Sequence, residues 1–66
     1  MKLKELVSLM NIYEVELASH SIRDLMPPKR LDMLHLATCP LMLRYGDHDV
    51  EQITNIARLG ITIWIN

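Results

Sequence analysis

The chain has 66 residues, a hydrophobic fraction of 50% and a formal net charge of −1. This length predicts one domain over residues 1–66, and the apolar content excludes intrinsic disorder. A single cysteine excludes an internal disulfide framework. The near-zero charge argues against a protein that mainly holds nucleic-acid backbone. The sequence has no run of about 18 apolar residues, so it predicts no membrane span.

The aliphatic content is high for so small a domain. A chain of this length buries only about 60% of the surface that it exposes when unfolded. Yet it carries 11 Leu, seven Ile and five Met. We therefore expect exposed apolar side chains that form a surface for self-association or for a partner. An efficient, apolar-rich small core is the alternative.

The N-terminal region predicts the compartment. Lys2 and Lys4 are basic, but Glu5, Asn11 and Glu14 interrupt any long apolar stretch, so no secretory signal is predicted. The unpaired cysteine and the five methionines suit a reducing interior. We predict a cytoplasmic protein, which would be in the host cytoplasm if the protein is viral.

The first segment has the best-defined helical pattern. Apolar residues at positions 3, 6, 10, 13 and 17 predict an amphipathic helix from about Lys2 to Ala18. At its end, Tyr13, Val15 and Leu17 alternate with acidic residues, which is the pattern of a half-buried strand. The helix is favoured, and the strand is the alternative.

Three shorter helices are predicted after it. Ser21 and Asp24 resemble a capping box that opens a helix over 22–26. The next helix begins at Pro28 and ends near Thr38, before Pro40. The segment 41–45 is either a short strand or an irregular connection.

The last predicted helix follows the turn at 46–49. Asp49 is its N-cap, with Gln52 completing a capping box. Gly60 is the C′ residue in a left-handed conformation.

The C-terminal segment 61–65 predicts a strand. Ile61, Ile63 and Ile65 share one face, and Thr62 and Trp64 share the other. Because strand backbone groups need partners, it should pair with 41–45, with a second copy or with another protein. The predicted fold class is a mainly α domain of three or four short helices with this strand.

The sequence lacks the residue patterns of a catalytic, metal or cofactor site. Asp32, His35 and Cys39 lie along one predicted helix and do not converge on a substrate atom. With His48, these residues lack the paired spacing of a zinc site. The two glycines form no phosphate-binding loop. We predict no enzyme activity, no metal and no cofactor.

The sequence also contains features that bear on binding of an anion, of DNA and of a lipid surface. Lys29 and Arg30, in the first turn of a predicted helix, are weak candidates for anion binding. The run 59–62, Leu-Gly-Ile-Thr, resembles the turn of a helix-turn-helix motif, which makes a small DNA-binding regulator with a 50–62 site an alternative function. No basic residue follows Arg58, so nucleic-acid binding is not favoured. Acidic residues on the first helix argue against binding to a membrane surface.

The function expected from these features is protein binding. The chain is predicted to be a regulator or inhibitor that occupies a surface of a larger partner, a role for which viral and mobile-element genomes encode many small proteins. A structural subunit of a homo-oligomer, such as a homodimer, is a further alternative. The predicted partner-binding residues are the strand and the aromatic side chains, with Trp64 as the anchor: Trp64, Ile61, Ile63, Ile65, Tyr45 and Tyr13.

Overall fold

The fold is a four-stranded mixed sheet with short helical segments against one face. The computed structural model describes residues 1–12, 14–56 and 60–66, and for residues 55 and 56 it describes the backbone alone. The elements in chain order are α1 (Leu3–Val7), β1 (Val15–Ser19), a 3₁₀ turn (Arg23–Leu25), β2 (Lys29–Arg30), a 3₁₀ segment (Met33–Thr38), α2 (Pro40–Tyr45), β3 (Val50–Ile56) and β4 (Gly60–Ile65). No described helix exceeds six residues. The prediction of a mainly α domain is therefore wrong.

The strand order in the sheet is β2-β1-β4-β3. The last strand, β4, lies between β1, with which it is parallel, and β3, with which it is antiparallel. The short β2 pairs antiparallel with the outer side of β1. Both sides of β4 are therefore hydrogen-bonded within the chain, and β2 and β3 form the two edges.

The core lies between the sheet and the helical segments. The parallel register places Val15 beside Ile61, Leu17 beside Ile63 and Ser19 beside Ile65. The side chains of Leu17, Ile63 and Ile65 have no solvent exposure. The helical elements complete the core with these buried residues: Leu3, Val7, Leu25, Leu31, Cys39 and Tyr45.

The predicted C-terminal strand is present as β4, but pairing with 41–45, one of its three predicted alternatives, is wrong. Pro40–Tyr45 forms α2, and β4 pairs with β1 and β3 instead. Pro40 lies in the first turn of α2, where backbone N–H groups have no acceptor within the helix, so its missing N–H costs no hydrogen bond. A proline that was expected to end one helix therefore begins another.

The long N-terminal helix predicted over 2–18 is also wrong. The helix ends at Val7, and Val15–Ser19 is β1. The alternating pattern that was the alternative describes this segment correctly from Val15 onward. Tertiary pairing explains why this segment is a strand, because the backbone N–H and C=O groups of β1 form hydrogen bonds with β2 and β4.

The two middle helices are shorter or absent. The segment predicted as a helix over 22–26 is a 3₁₀ turn, and the Ser19 hydroxyl, not Ser21, accepts hydrogen bonds from the backbone N–H groups of Ser21 and Ile22, both at 3.1 Å. In place of the helix predicted after Pro28, the chain forms β2 and the 3₁₀ segment Met33–Thr38.

The described part of the predicted fourth helix is the strand β3, Val50–Ile56. Asp49 does not cap a helix, because it forms an antiparallel bridge with Lys2. Gly60 is not a left-handed C′ residue, since neither glycine has a positive φ. Instead, Gly60 begins β4 where the chain passes close to Glu14. A Cβ atom at residue 60 would lie 2.6 Å from the carbonyl oxygen of Glu14.

Gly60→Ala should lower the free energy of unfolding by about 1–3 kcal/mol, because its new methyl group would overlap the Glu14 backbone. Urea denaturation measures this change. Arg23→Ala, at an exposed position, is the control and should stay within about 0.5 kcal/mol of the original chain. A Gly60→Ala protein as stable as this control would contradict the close approach.

Candidate functional site

The outer side of β3 is the longest edge of the sheet. The N-terminal residues cover only its beginning: the Leu3 N–H donates to the His48 carbonyl and the Val50 N–H donates to the Met1 carbonyl, both at 2.9 Å. Beyond Val50, no described residue pairs with the outer side of β3. We call the segment 51–56 the free edge.

The free edge has little of the protection that isolated edge strands usually carry. Charged side chains, proline and bulges commonly prevent an edge from pairing with another chain. A register irregularity between Val50 and Gln52 marks the start of the free edge, and Glu51 is its one charged residue. The five residues from 52 to 56 are uncharged and contain no proline. Ile53, opposite the buried Ile63, is 48% exposed.

An ion pair holds the N-terminal segment in place beside β3. The Lys4 ammonium lies 2.6 Å from an Asp47 carboxylate oxygen, and the Lys2 ammonium lies 4.0 Å from the same oxygen. The hydrogen bond and the charge of Lys4 lower the pKa of Asp47 below its ordinary value of 3.8. The hydrogen bond from the same pair raises the pKa of Lys4. These contacts fix where the free edge begins.

Trp64 lies on the other face of the sheet. Its indole stacks on His20 with ring centres 4.4 Å apart, and its Nε1–H donates to the Thr54 hydroxyl at 2.9 Å. It is half-buried and does not belong to the core cluster. We call this side of the sheet, which includes Glu16, Ala18, Thr54, Thr62 and Trp64, the open face, although Ala18 and Thr62 on it are buried.

The remaining predicted partner-binding residues lie mostly inside the fold. Ile63 and Ile65 are fully buried, and Ile61 is half-buried against the core. Tyr45 is buried, and its hydroxyl donates to an Asp24 carboxylate oxygen at 3.4 Å. Tyr13 lies outside the described residues. A partner that docks on this fold does not reach the Ile63 and Ile65 side chains.

The anion-binding candidates Lys29 and Arg30 form β2. Both side chains are exposed, and the Arg30 guanidinium lies 2.7 Å from a Glu14 carboxylate oxygen. The helix N-terminus that supported this prediction is absent, because the segment is a strand. No helix dipole therefore supports anion binding at these two residues, and the Arg30 guanidinium is already paired with a carboxylate.

The groups that carry reactive chemistry do not converge. The His35 ring nitrogen lies 3.1 Å from an Asp32 carboxylate oxygen at the surface, whereas the Cys39 thiol is buried in the core. Within residues 1–12, 14–56 and 60–66, no three His, Cys, Asp or Glu residues are placed to hold a metal ion. A cleft of about 450 Å³ is lined by residues 30–34, and its charged residues, Arg30 and Asp32, are paired with Glu14 and His35.

The segment 50–62 does not have the geometry of a helix-turn-helix motif. Its described parts are β3 and the start of β4, which pair antiparallel. The parts of this segment that the structure describes, 50–56 and 60–62, therefore offer no recognition helix to enter a DNA groove, and residues 57–59 lie outside the described residues. In the described part of the chain, no helix has the length and apolar character needed to cross a bilayer.

Comparison of the chain with models of known protein families, with curated proteins and with solved structures found no match. The candidate site therefore depends on the geometry of this molecule alone. The free edge was missed at the level of sequence, because Asp49 and Gln52 resemble a helix start. The β-branched residues Val50, Ile53 and Thr54 were the signal that favoured a strand.

Asp47→Asn should loosen the N-terminal segment from β3, because it removes the carboxylate that binds Lys4. Hydrogen exchange of the Val50 amide, which donates to Met1, should become faster. Asp49→Asn is the matched control, since Asp49 forms no ion pair with any described residue, and it should leave this exchange rate nearly unchanged.

Acid should act in the same direction as Asp47→Asn. Because the pKa of Asp47 is lowered in the folded chain, its stabilising effect is complete above about pH 3.8 and is lost as the pH falls through the lower folded value. The NMR signals of residues 1–3 should shift in that range. Signals that titrate identically in the Asp47→Asn protein would contradict this assignment.

Proposed function

We propose that this protein is a non-enzymatic protein-binding regulator or inhibitor that accepts an extended strand of a partner protein along its free edge. The observation that carries the proposal is the outer side of β3 from residue 51 to residue 56, with which no described residue pairs. Strand addition at such an edge supplies main-chain hydrogen bonds, and alternate side chains supply specificity. We also propose that the protein acts in the cytoplasm.

The proposal places the partner on β3 rather than on β4. Strand addition needs unpaired backbone groups, and β4 has none to offer because both of its sides are paired. The outer side of β3 does offer them. The exposed part of Ile53 adds apolar surface beside these backbone groups, on the same side of the sheet as the core.

The position of Trp64 supports a secondary role for the open face. The register places Trp64 opposite Gln52, one strand in from the edge. Long side chains of an added strand that project over the open face reach towards Thr54 and Trp64. The hydrogen bond from the Trp64 indole to the Thr54 hydroxyl also links β4 to β3 within the fold.

Apolar exposure elsewhere supports the proposal less directly. Several large side chains are exposed, as the composition predicts: Met1, Leu9, Ile12, Met26, Leu34, Leu43 and Ile53. They are spread over several elements, and isolated exposed apolar side chains are common on protein surfaces. Ile53 differs from the others because it lies on the free edge, where no described residue pairs with the outer side of its strand.

Ile53→Lys should weaken the capture of partner proteins from a cell lysate by at least about tenfold, equivalent to about 1.4 kcal/mol. A charge on an edge strand opposes the addition of another strand. The measurement is quantitative mass spectrometry of proteins retained on the immobilised chain.

Leu43→Lys is the matched control, because it also replaces an exposed aliphatic residue with lysine but lies on α2, in the helical layer. The control should retain the proteins that the original chain captures. If both variants retain them equally, the free edge is not the binding site.

Trp64→Ala tests the open face separately. An anchor role predicts a loss of about 2 kcal/mol in affinity for a captured partner. Isothermal titration measures this loss, and circular dichroism checks that the fold is retained. Full affinity with a retained fold would remove Trp64 from the interface while leaving the edge in place.

A further inference from the structure

We infer that a second copy of this chain occupies the free edge, so that two β3 strands pair antiparallel about a two-fold axis at Thr54. This inference rests on the proposed function, because it uses the same open edge. It adds the identity of one partner and the register of the contact.

The N-terminal segment sets the register. Met1 occupies the position beside Val50 on the outer side of β3, so an added strand extends no further than Glu51. Two symmetric antiparallel pairings of five residues fit within this limit, segment 51–55 about Ile53 and segment 52–56 about Thr54. The second leaves out Glu51, which is charged and lies at the register irregularity between Val50 and Gln52, so the inferred pairing joins 52–56 of one copy to 56–52 of the other. Thr54 then lies directly opposite Thr54 of the second copy.

The charge pattern of the edge permits this pairing. Like charges directly opposite each other destabilise a strand pair, whereas two threonines in that position stabilise it. Glu51 lies just outside the paired segment, and residues 52–56 carry no charge. Symmetric pairing therefore brings no two carboxylates together, and two-fold dimers are the commonest closed assembly.

The exposed part of Ile53 is also accounted for. In this register the two Ile53 residues are diagonal neighbours on the helix-covered side of the joined sheet, with Cα atoms about 7–8 Å apart. Each then covers part of the other's exposed surface, which is 48% of the side chain in the single chain. A register shifted by one residue would place the two isoleucines on opposite faces.

Two variants of opposite charge test the register. Thr54→Lys and Thr54→Glu should each weaken the dimer by about fivefold or more, because like charges then face each other across the axis. An equimolar mixture of the two should recover the dimer. Sedimentation equilibrium from micromolar to millimolar protein measures the change, and the dimer has twice the 7.7 kDa mass of the chain.

Gln52→Lys is the matched control. Gln52 is exposed, and in this register the two Gln52 residues lie far apart near the ends of the paired segment. This variant should dimerise like the original chain. A stronger loss with Gln52→Lys than with Thr54→Lys would overturn the register.

The outcomes separate this inference from the proposed function. A chain that stays monomeric at all concentrations overturns the dimer, and the proposed function then stands if Ile53→Lys still abolishes capture from lysate. A dimer that the Thr54 variants disrupt and their mixture restores supports the inference, even if no lysate protein depends on Ile53. A dimer that both Thr54 variants leave intact overturns it. Circular dichroism of each variant, and the recovery in the mixture, exclude misfolding as the cause of a loss.

Discussion

The fold depends on the two-sided backbone pairing of β4. The strand is parallel to β1 on one side and antiparallel to β3 on the other, so its N–H and C=O groups have partners within the chain. This central position buries Ile63 and Ile65 against the helical layer. It also determines what is left for binding, because pairing β4 on both sides leaves the outer side of β3 as the longest edge.

The two sides of the sheet differ. The helix-covered side holds the core, while the open face has Trp64 held between His20 and Thr54. The edges differ as well. The β2 edge is two residues long and carries Lys29 and Arg30, whereas the free edge of β3 is longer and carries one charge near its start. Lysine and short length are common protections of an edge strand, which makes β3 the edge suited to binding.

The N-terminal segment links local stability to the site. Residues 1–3 cover the start of β3, and the Lys4–Asp47 ion pair holds them there. An exposed ion pair contributes little to overall stability. This ion pair lies beside the backbone hydrogen bonds of Met1 and Leu3, which determine how many residues of β3 remain unpaired. The exposed Ile53 lies just beyond this covered part, so an added strand meets backbone donors and apolar surface together.

The sequence by itself determined the strand at 61–65 and the presence of exposed apolar side chains on a small, apolar-rich chain. Both follow from local properties, the alternation of side chains and the aliphatic content. Only the tertiary structure decided which segments became β1 and β3. Val15–Ser19 and Val50–Ile56 carry capping and spacing signals that also suit helices, and isolated short helices are marginal in water. Pairing with β4 outweighs those local signals, since each ladder satisfies many backbone groups at once. The same long-range pairing placed Trp64 beside the edge and left the outer side of β3 open, which spacing along the chain does not specify.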